Sequence, residues 1–262
     1  MSFNQTPSAN SIDRSDLVFY LDSFLSAEQG SDFCPNGLQV EGISTIRRLV
    51  TGVSACRELF ERARQRGADG VLVHHGIFWD GSSRTLTGFQ RRRVAELIEG
   101  NLNLIAYHLP LDRHTEVGNN AIAARRLELV RLEPFGEHSG FSLGFKGEFD
   151  EAIALSELLD RCRSVFHQEP LCFPQGPEGI STLGIISGAA ESSFHDAITS
   201  GLDAFITGEA SEWVMNVARE TSTHFIAAGH YATERLGIQA LGEHIAQKFG
   251  IEVHFEDIPN PI

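Results

Sequence analysis

The stretch LVTGVSACRELFERARQRGADGVLVHHGIFW, Leu49–Trp79, decides the fold. It opens on an apolar run, LVTGVSA, that suits a buried strand. CRELFERARQRG follows, with apolar residues at helical spacing and Gly67 where a helix C-cap is expected. GVLVHHG, Gly70–Gly76, then reads as a second strand. Strand, helix and strand in this order make a parallel pair with a helical crossover. Outward from it, helices are expected over Asp13–Ala27, Gln90–Glu99 and Asn119–Leu129, with a strand over Leu102–His108. The second half continues with strand SLGFKGEF (Ser142–Phe149), helix Glu151–Phe166 and loop Pro174–Gly179. Three further strand–helix pairs follow, the last helix from Thr233 to Phe249, and then strand IEVHF. The fold class expected is α/β: two intertwined repeats, each a mainly parallel, mixed sheet flanked by helices.

The repeats are visible by direct alignment. Leu49–Trp79 and Leu183–Trp213 match without a gap at an offset of 134 residues. Ala63 falls on Ala197, Gly67 on Gly201, Asp69 on Asp203 and Trp79 on Trp213, while His74-His75 falls on Gly208-Glu209. LIAYHLPLD (Leu104–Asp112) falls on FIAAGHYATE (Phe225–Glu234), so that His108 matches His230 and Asp112 matches Glu234. The reading is an internal duplication, residues 1–130 and 131–262, with a linking segment near Arg131–Gly140 and the metal site at the interface of the two.

Composition limits the function. A net charge of −14 disfavours a nucleic-acid partner, because binding phosphates would cost repulsion. Arg91-Arg92-Arg93 opens an amphipathic stretch and reads as a solvated helix face, with a local anionic-ligand role as the alternative. No run reaches the ~18 apolar residues of a membrane span. The first residues, MSFNQTPSAN, are small and polar, carry no secretory pattern, and are expected to be disordered. A cytoplasmic location follows as the expectation. The four cysteines, Cys34, Cys56, Cys162 and Cys172, form no CxxC pair and read as packing thiols.

The chemistry lies at the strand ends, where parallel α/β sheets bind ligands. VLVHHG ends on His74 and His75, LIAYHLPLD on His108 and then Asp112, FITGE on Glu209, and FIAAGHYATE on His230 and then Glu234. Imidazoles with carboxylates suit zinc, iron, manganese, nickel or cobalt. His74, His75, Asp112, His230 and Glu234 are too many for one catalytic zinc and suit two divalent ions sharing a carboxylate. Glu209 is open to three readings: metal ligand, substrate contact, or cap of the helix that begins near Ser211. His108 is open to being a ligand or a partner of one. As catalytic residues, Glu209 and His108 are the candidates for general base or proton shuttle.

These residues carry a resemblance. PNGLQVEG (Pro35–Gly42), VLVHHGIFW (Val71–Trp79), AYHLPLDRH (Ala106–His114), GNN (Gly118–Asn120), ITGE (Ile206–Glu209), GHYATER (Gly229–Arg235) and the closing DIPNPI make the chain similar to the NGG-interacting-factor-like family. Bacterial members of that family carry the label GTP cyclohydrolase I type 2 homologue. The resemblance implies two intertwined repeats, a dinuclear metal centre and a ring-shaped homohexamer, a trimer of dimers. It implies His74, His75, Asp112, His230 and Glu234 as the metal ligands, with Glu234 bridging. The activity expected is a metal-dependent hydrolase acting on a nucleotide or other phosphorylated small molecule, GTP cyclohydrolase chemistry among them. The rival is a metal-binding oligomeric scaffold or metal-trafficking protein that works through partners without catalysis.

Overall fold

The computed structural model describes residues 10–262; the polar opening segment expected to be disordered lies, apart from Asn10, outside the described residues. Contacts divide the chain into two compact units. The first comprises residues 1–108 and 238–258, and the second comprises residues 109–237 and 259–262. This division by compactness differs from the division at 130/131 by repeat, because the last strand of the chain pairs back into the first unit.

In chain order the first unit holds β1 (Ile12–Asp13), α1 (Arg14–Phe24), β2 (Gly37–Val40), β3 (Thr45–Ile46), β4 (Arg48–Ser54), α2 (Arg57–Gln65), β5 (Gly70–His75), α3 (Gly88–Glu99) and β6 (Asn103–Ala106). The second holds α4 (Leu109–Asp112), α5 (Asn119–Arg126), β7 (Val130–His138), β8 (Phe141–Ala154), α6 (Leu155–Phe166), β9 (Leu171–Phe173), β10 (Gly179–Ile185), α7 (Phe194–Thr199), β11 (Ala204–Thr207), α8 (Glu212–Thr221) and β12 (His224–Ala227). The boundary falls inside α9 (His230–Phe249), and β13 (Glu252–Phe255) belongs to the first unit. Among the described residues no helix is long and apolar enough to cross a membrane.

The first unit is built on a five-stranded sheet in the order β13-β4-β5-β6-β2. Its pairs are parallel except β2 with β6. Val50, Val71, Val73, Leu104 and Ala106 from the strands bury against Leu59, Phe60 and Ala63 of α2 and Leu97 of α3. The apolar positions of CRELFERARQRG thus define the buried face of α2. The second unit has six strands in the order β7-β8-β10-β11-β12-β9. Only β10-β11 and β11-β12 are parallel. One core packs Ile185, Ile206 and Ile226 with Leu158, Cys162 and Phe166 of α6. A second packs Phe205 and Phe225 with Phe194 of α7 and Val214 and Ala218 of α8. Mixed sheets flanked by helices make this an α/β fold.

One local device recurs in both units. Asp69 Oδ2 accepts the N–H groups of Arg47 (2.7 Å) and Arg48 (2.9 Å) at the start of β4. Asp203 Oδ2 accepts those of Ser181 (2.8 Å) and Thr182 (2.9 Å) in β10. Gly67 and Gly201, each two residues before its aspartate, take φ of +64° and +67°. Glycine is the residue that adopts this turn without steric cost. The offset of 134 therefore marks matching hydrogen bonds as well as matching letters.

Two sequence expectations need correction. The segment Arg131–Gly140 is mostly strand: β7 pairs antiparallel with β8. Pro134 and Gly136 read as loop residues, yet β7 lies at the sheet edge, where proline is tolerated. The helix expected from Glu151 starts at Leu155. Glu151–Ala154 prolongs β8, whose Ile153 pairs with Ile180 and is buried. Local charge suggested helix there, and cross-strand pairing overrode it. The short elements β2, β9 and α4 had no signal strong enough to be anticipated.

Cys162 is fully buried on α6. Burial pushes its thiol up to about 12, and Cys172 adds to the effect. A raised folded value favours the neutral thiol. Its contribution to stability is complete below the ordinary value of 9.0 and is lost as pH rises from there towards about 12. Native protein at pH 9 is therefore expected to leave Cys162 unalkylated by iodoacetamide, and urea-unfolded protein to react promptly. Mass spectrometry of the peptide reads the outcome. Equal rates in both states would contradict the burial argument.

Candidate metal centre

In the first unit, β4, β5 and β6 run parallel and bring Ser54, His74, His75 and His108 to one end of the sheet. One ligand atom from each of His74, His75 and His108 lies within 4.8 Å of the others, a group able to hold a metal ion. His74 and His75 are adjacent on β5, with rings 4.7 Å apart and tilted by 44°. His74 is fully buried, and its Nδ1 lies 3.0 Å from the carbonyl of Tyr107. A carbonyl only accepts, so this contact puts the proton on Nδ1 and the lone pair on Nε2. The Nδ1 of His75 lies 3.0 Å from Ser54 Oγ, its register partner on β4.

His108 is held more firmly than sequence suggested. Its Nδ1 donates to Asp32 Oδ1 at 2.7 Å, and its backbone N–H donates to Asn36 Oδ1 at 2.8 Å. Asn36 Nδ2 donates to Asp32 Oδ2 at 2.9 Å, and the N–H of Cys34 donates to Oδ1. Burial opposes the charge on Asp32, but His108, Asn36 and Cys34 together hold its carboxyl at about 2. Asp32 is thus a fixed anion behind the imidazole. Trp79 leans on the same group, 5.7 Å from the His75 ring and 5.0 Å from the His108 ring, and its Nε1 donates to the carbonyl of Gly76.

The second unit gathers carboxylates around the turn after β10. Asp112 ends α4 and is buried. Its Oδ1 accepts Asn119 Nδ2 at 2.8 Å and Ser187 Oγ at 2.9 Å. The N–H of Ser187 donates to Asn120 Oδ1, which explains the pair of asparagines in GNN. His230 begins α9, one turn before Glu234. Its Nε2 is 3.1 Å from Glu234 Oε2, and its Nδ1 is paired with Glu209 Oε1. Burial opposes charge on His230, and Glu234 and Glu209 override it, raising the imidazole to about 9.

Gly188 lies between these groups with φ +70°. A Cβ there would run into Glu234 Oε1 and stand 3.5 Å from His230 Nε2. The missing side chain lets the backbone of this turn pass close to a buried carboxylate and an imidazole, both of them metal-ligand types. Gly208 explains the asymmetry between the halves. A Cβ there would sit 2.6 Å from both the Gly188 carbonyl and His230 Cα. No side chain fits at position 208, where the repeat would otherwise carry the counterpart of His74. The donor set fits a divalent metal: imidazoles whose Nδ1 meets an orienting partner, with carboxylates beside them.

Each unit therefore collects its own share of the sequence candidates. His74, His75 and His108 come together in the first, and Asp112, Glu209, His230 and Glu234 in the second. The orienting residues Asp32, Asn36, Ser54 and Ser187 were missed. Their partners are distant in sequence, and only the Asp32–Asn36 spacing beside PNGLQVEG offered a signal.

Known proteins match over nearly the whole chain. A Haemophilus influenzae protein named GTP cyclohydrolase 1 type 2 homolog is 42% identical over 238 residues, 90% of this chain and 94% of its own. A Pasteurella multocida protein of the same name is 43% identical over 247 residues, 94% of this chain and 98% of its own. Among solved structures, a protein called ybgI, described as of unknown function, is 40% identical with a TM-score of 0.91. It covers 96% of this chain and 100% of its own. A Thermus thermophilus protein is 35% identical with a TM-score of 0.89, over 96% of this chain and 100% of its own. The family model described as Duf34/NIF3 (NGG1p interacting factor 3) matches residues 12–261, and the chain belongs to that family.

Proposed function

We propose that His74 and His75 of the first unit and Asp112, His230 and Glu234 of the second hold two divalent ions, with Glu234 bridging, and that the centre hydrolyses a nucleotide or other phosphorylated small molecule. The observation that carries this reading is the treatment of the imidazoles. His74, His108 and His230 each direct Nδ1 to a carbonyl or carboxylate, and His75 directs it to a hydroxyl. That pattern presents Nε2 as a ligand atom and is what metal-binding histidines require. Bound ions would supply Lewis acidity and lower the pKa of a water towards ~7. The name of the relatives supports nucleotide chemistry of the GTP cyclohydrolase kind.

This chain's own groups would handle the proton. His108, oriented at Nδ1 by Asp32, would present Nε2 to accept the proton. Glu209 keeps His230 oriented, and through that contact can pass a proton between the two groups. The working form proposed is a cytoplasmic ring-shaped homohexamer, which light scattering of the full chain would measure. The decisive experiment is turnover of a nucleotide panel by metal-loaded protein against His75→Ala. Loss of about 100-fold or more is expected, since the variant removes a ligand where even an orienting partner is worth 10–100-fold. Equal turnover would sink the assignment of hydrolysis to this centre.

A further inference from the structure

We infer that a cavity in the first unit, walled by Trp79 and flanked by Arg84 and Arg93, seats a planar heteroaromatic ring that carries a phosphate: a purine nucleotide. The inference rests on the nucleotide reading of the metal centre and gives that reading its recognition site. The cavity measures about 240 Å³. That is below the ~300 Å³ at the small end of drug-sized ligand sites, so it takes a ring system with its nearest substituent rather than a whole triphosphate. Ile77, Trp79, Leu86 and Val94 give it apolar walls, as stacking of a flat ring needs. Asp80 adds an acceptor for ring N–H groups.

The walls are tied together. The Gln39 side chain accepts from the Ile77 N–H at 2.9 Å and donates to the Pro35 carbonyl at 2.8 Å. The N–H of Asp80 donates to the carbonyl of Phe33 at 2.9 Å. Pro35 sits between Cys34 and Asn36, the segment that fixes Asp32 and His108. The indole of Trp79 that lines the cavity also stands against His75 and His108. A ring bound there would share its wall with the proposed reaction groups.

Charge points to an anion. In a chain of net charge −14, neither Arg84 nor Arg93 forms an ion pair with any described residue. The guanidinium of Arg93 lies over the Phe89 ring, 5.2 Å from its centroid, which holds the charge in place without neutralising it. A phosphate is the natural partner of such a pair. The site gives Arg93 the anionic-ligand role that was the alternative to a solvated face for its run of three arginines.

The test is calorimetric titration of GMP into EDTA-treated full-length protein, with guanosine and ribose 5-phosphate as the part-ligands. GMP is expected to bind about tenfold tighter than either, ~1.4 kcal/mol. The double variant Arg84→Ser/Arg93→Ser is expected to reduce GMP to the affinity of guanosine, and Val94→Trp, which fills the cavity, to abolish both. Circular dichroism checks that each variant folds; the double variant alters one exposed and one half-buried side chain, neither in the buried core, and stands as the test alone if Val94→Trp does not fold. GMP affinity unchanged by the double variant, or no GMP binding by the parent, overturns the inference. Elemental analysis run in parallel keeps the outcomes separate. GMP binding to a protein that takes up no metal leaves this inference standing and removes the metal reading. Metal uptake with variant-insensitive GMP binding does the reverse.

Discussion

If the proposed two-ion centre is right, Glu234→Gln protein is expected to fold normally and to carry at most one metal ion per chain, against about two in the parent, the number a bridged pair would require. Glu234 is buried, and its carboxylate faces His230 at 3.1 Å and the space beside Gly188. Glutamine keeps the shape and one carbonyl oxygen but removes the charge and the second anionic oxygen. Two cations held a few ångströms apart repel each other strongly, and a bridging carboxylate is what offsets that repulsion. Losing it removes an ion rather than weakening both slightly. Metal content per chain after dialysis, read by elemental analysis beside a far-ultraviolet dichroism spectrum, decides the matter. Two ions retained in a folded variant would remove Glu234 from the bridging position.

Gly208→Ala is expected to damage the second unit through a single methyl group. The added Cβ would lie 2.6 Å from the Gly188 carbonyl and from His230 Cα, both of them backbone. Backbone cannot rotate out of the way as a side chain can. The substitution must break the 2.8 Å hydrogen bond from the Gly208 N–H to the Gly188 carbonyl or move the first turn of α9. Overpacking of this kind costs about 1–3 kcal/mol and sometimes more. It also displaces His230 from Glu209, so metal affinity should fall with stability. Urea unfolding of EDTA-treated protein measures the first loss, and metal titration measures the second. Gly81→Ala serves as the control: its φ is left-handed, at +77°, but a Cβ there meets nothing within 4 Å. It should cost only the backbone strain, on the order of 1 kcal/mol. Equal, small losses at Gly81 and Gly208 would show that the close approach at Gly208 carries no weight.

The two variants bear on the same asymmetry. The duplication sets Gly208-Glu209 where the first half has His74-His75. One half offers two adjacent imidazoles from a strand. The other offers a glycine that lets α9 approach and a carboxylate that turns His230. A repeat that began as two equal copies can diverge in this way when each position answers to a different neighbour.

Much of this was legible in order along the chain. Strand, helix and strand over Leu49–Trp79 show in apolar spacing because buried strands and amphipathic helices have distinct periods. Strand ends place His74, His75, His108, Glu209 and His230 by the same logic. The edge strand β7 escaped because Pro134, Gly136 and its charges resemble a loop, and only pairing with β8 makes them a strand. Residues 151–154 escaped for a related reason: their partner, β10, lies more than 20 residues away.

Spacing and residue type along the chain carry the alternation of elements, the matched halves and the candidate metal-binding side chains. Tertiary structure alone decided which groups hold those side chains. Asp32 reaches His108 across 76 positions, Ser54 reaches His75 across 21, and Ser187 reaches Asp112 across 75. Hydrogen bonds between residues so far apart are made by sheet register and chain crossings, and no local pattern in the sequence encodes them.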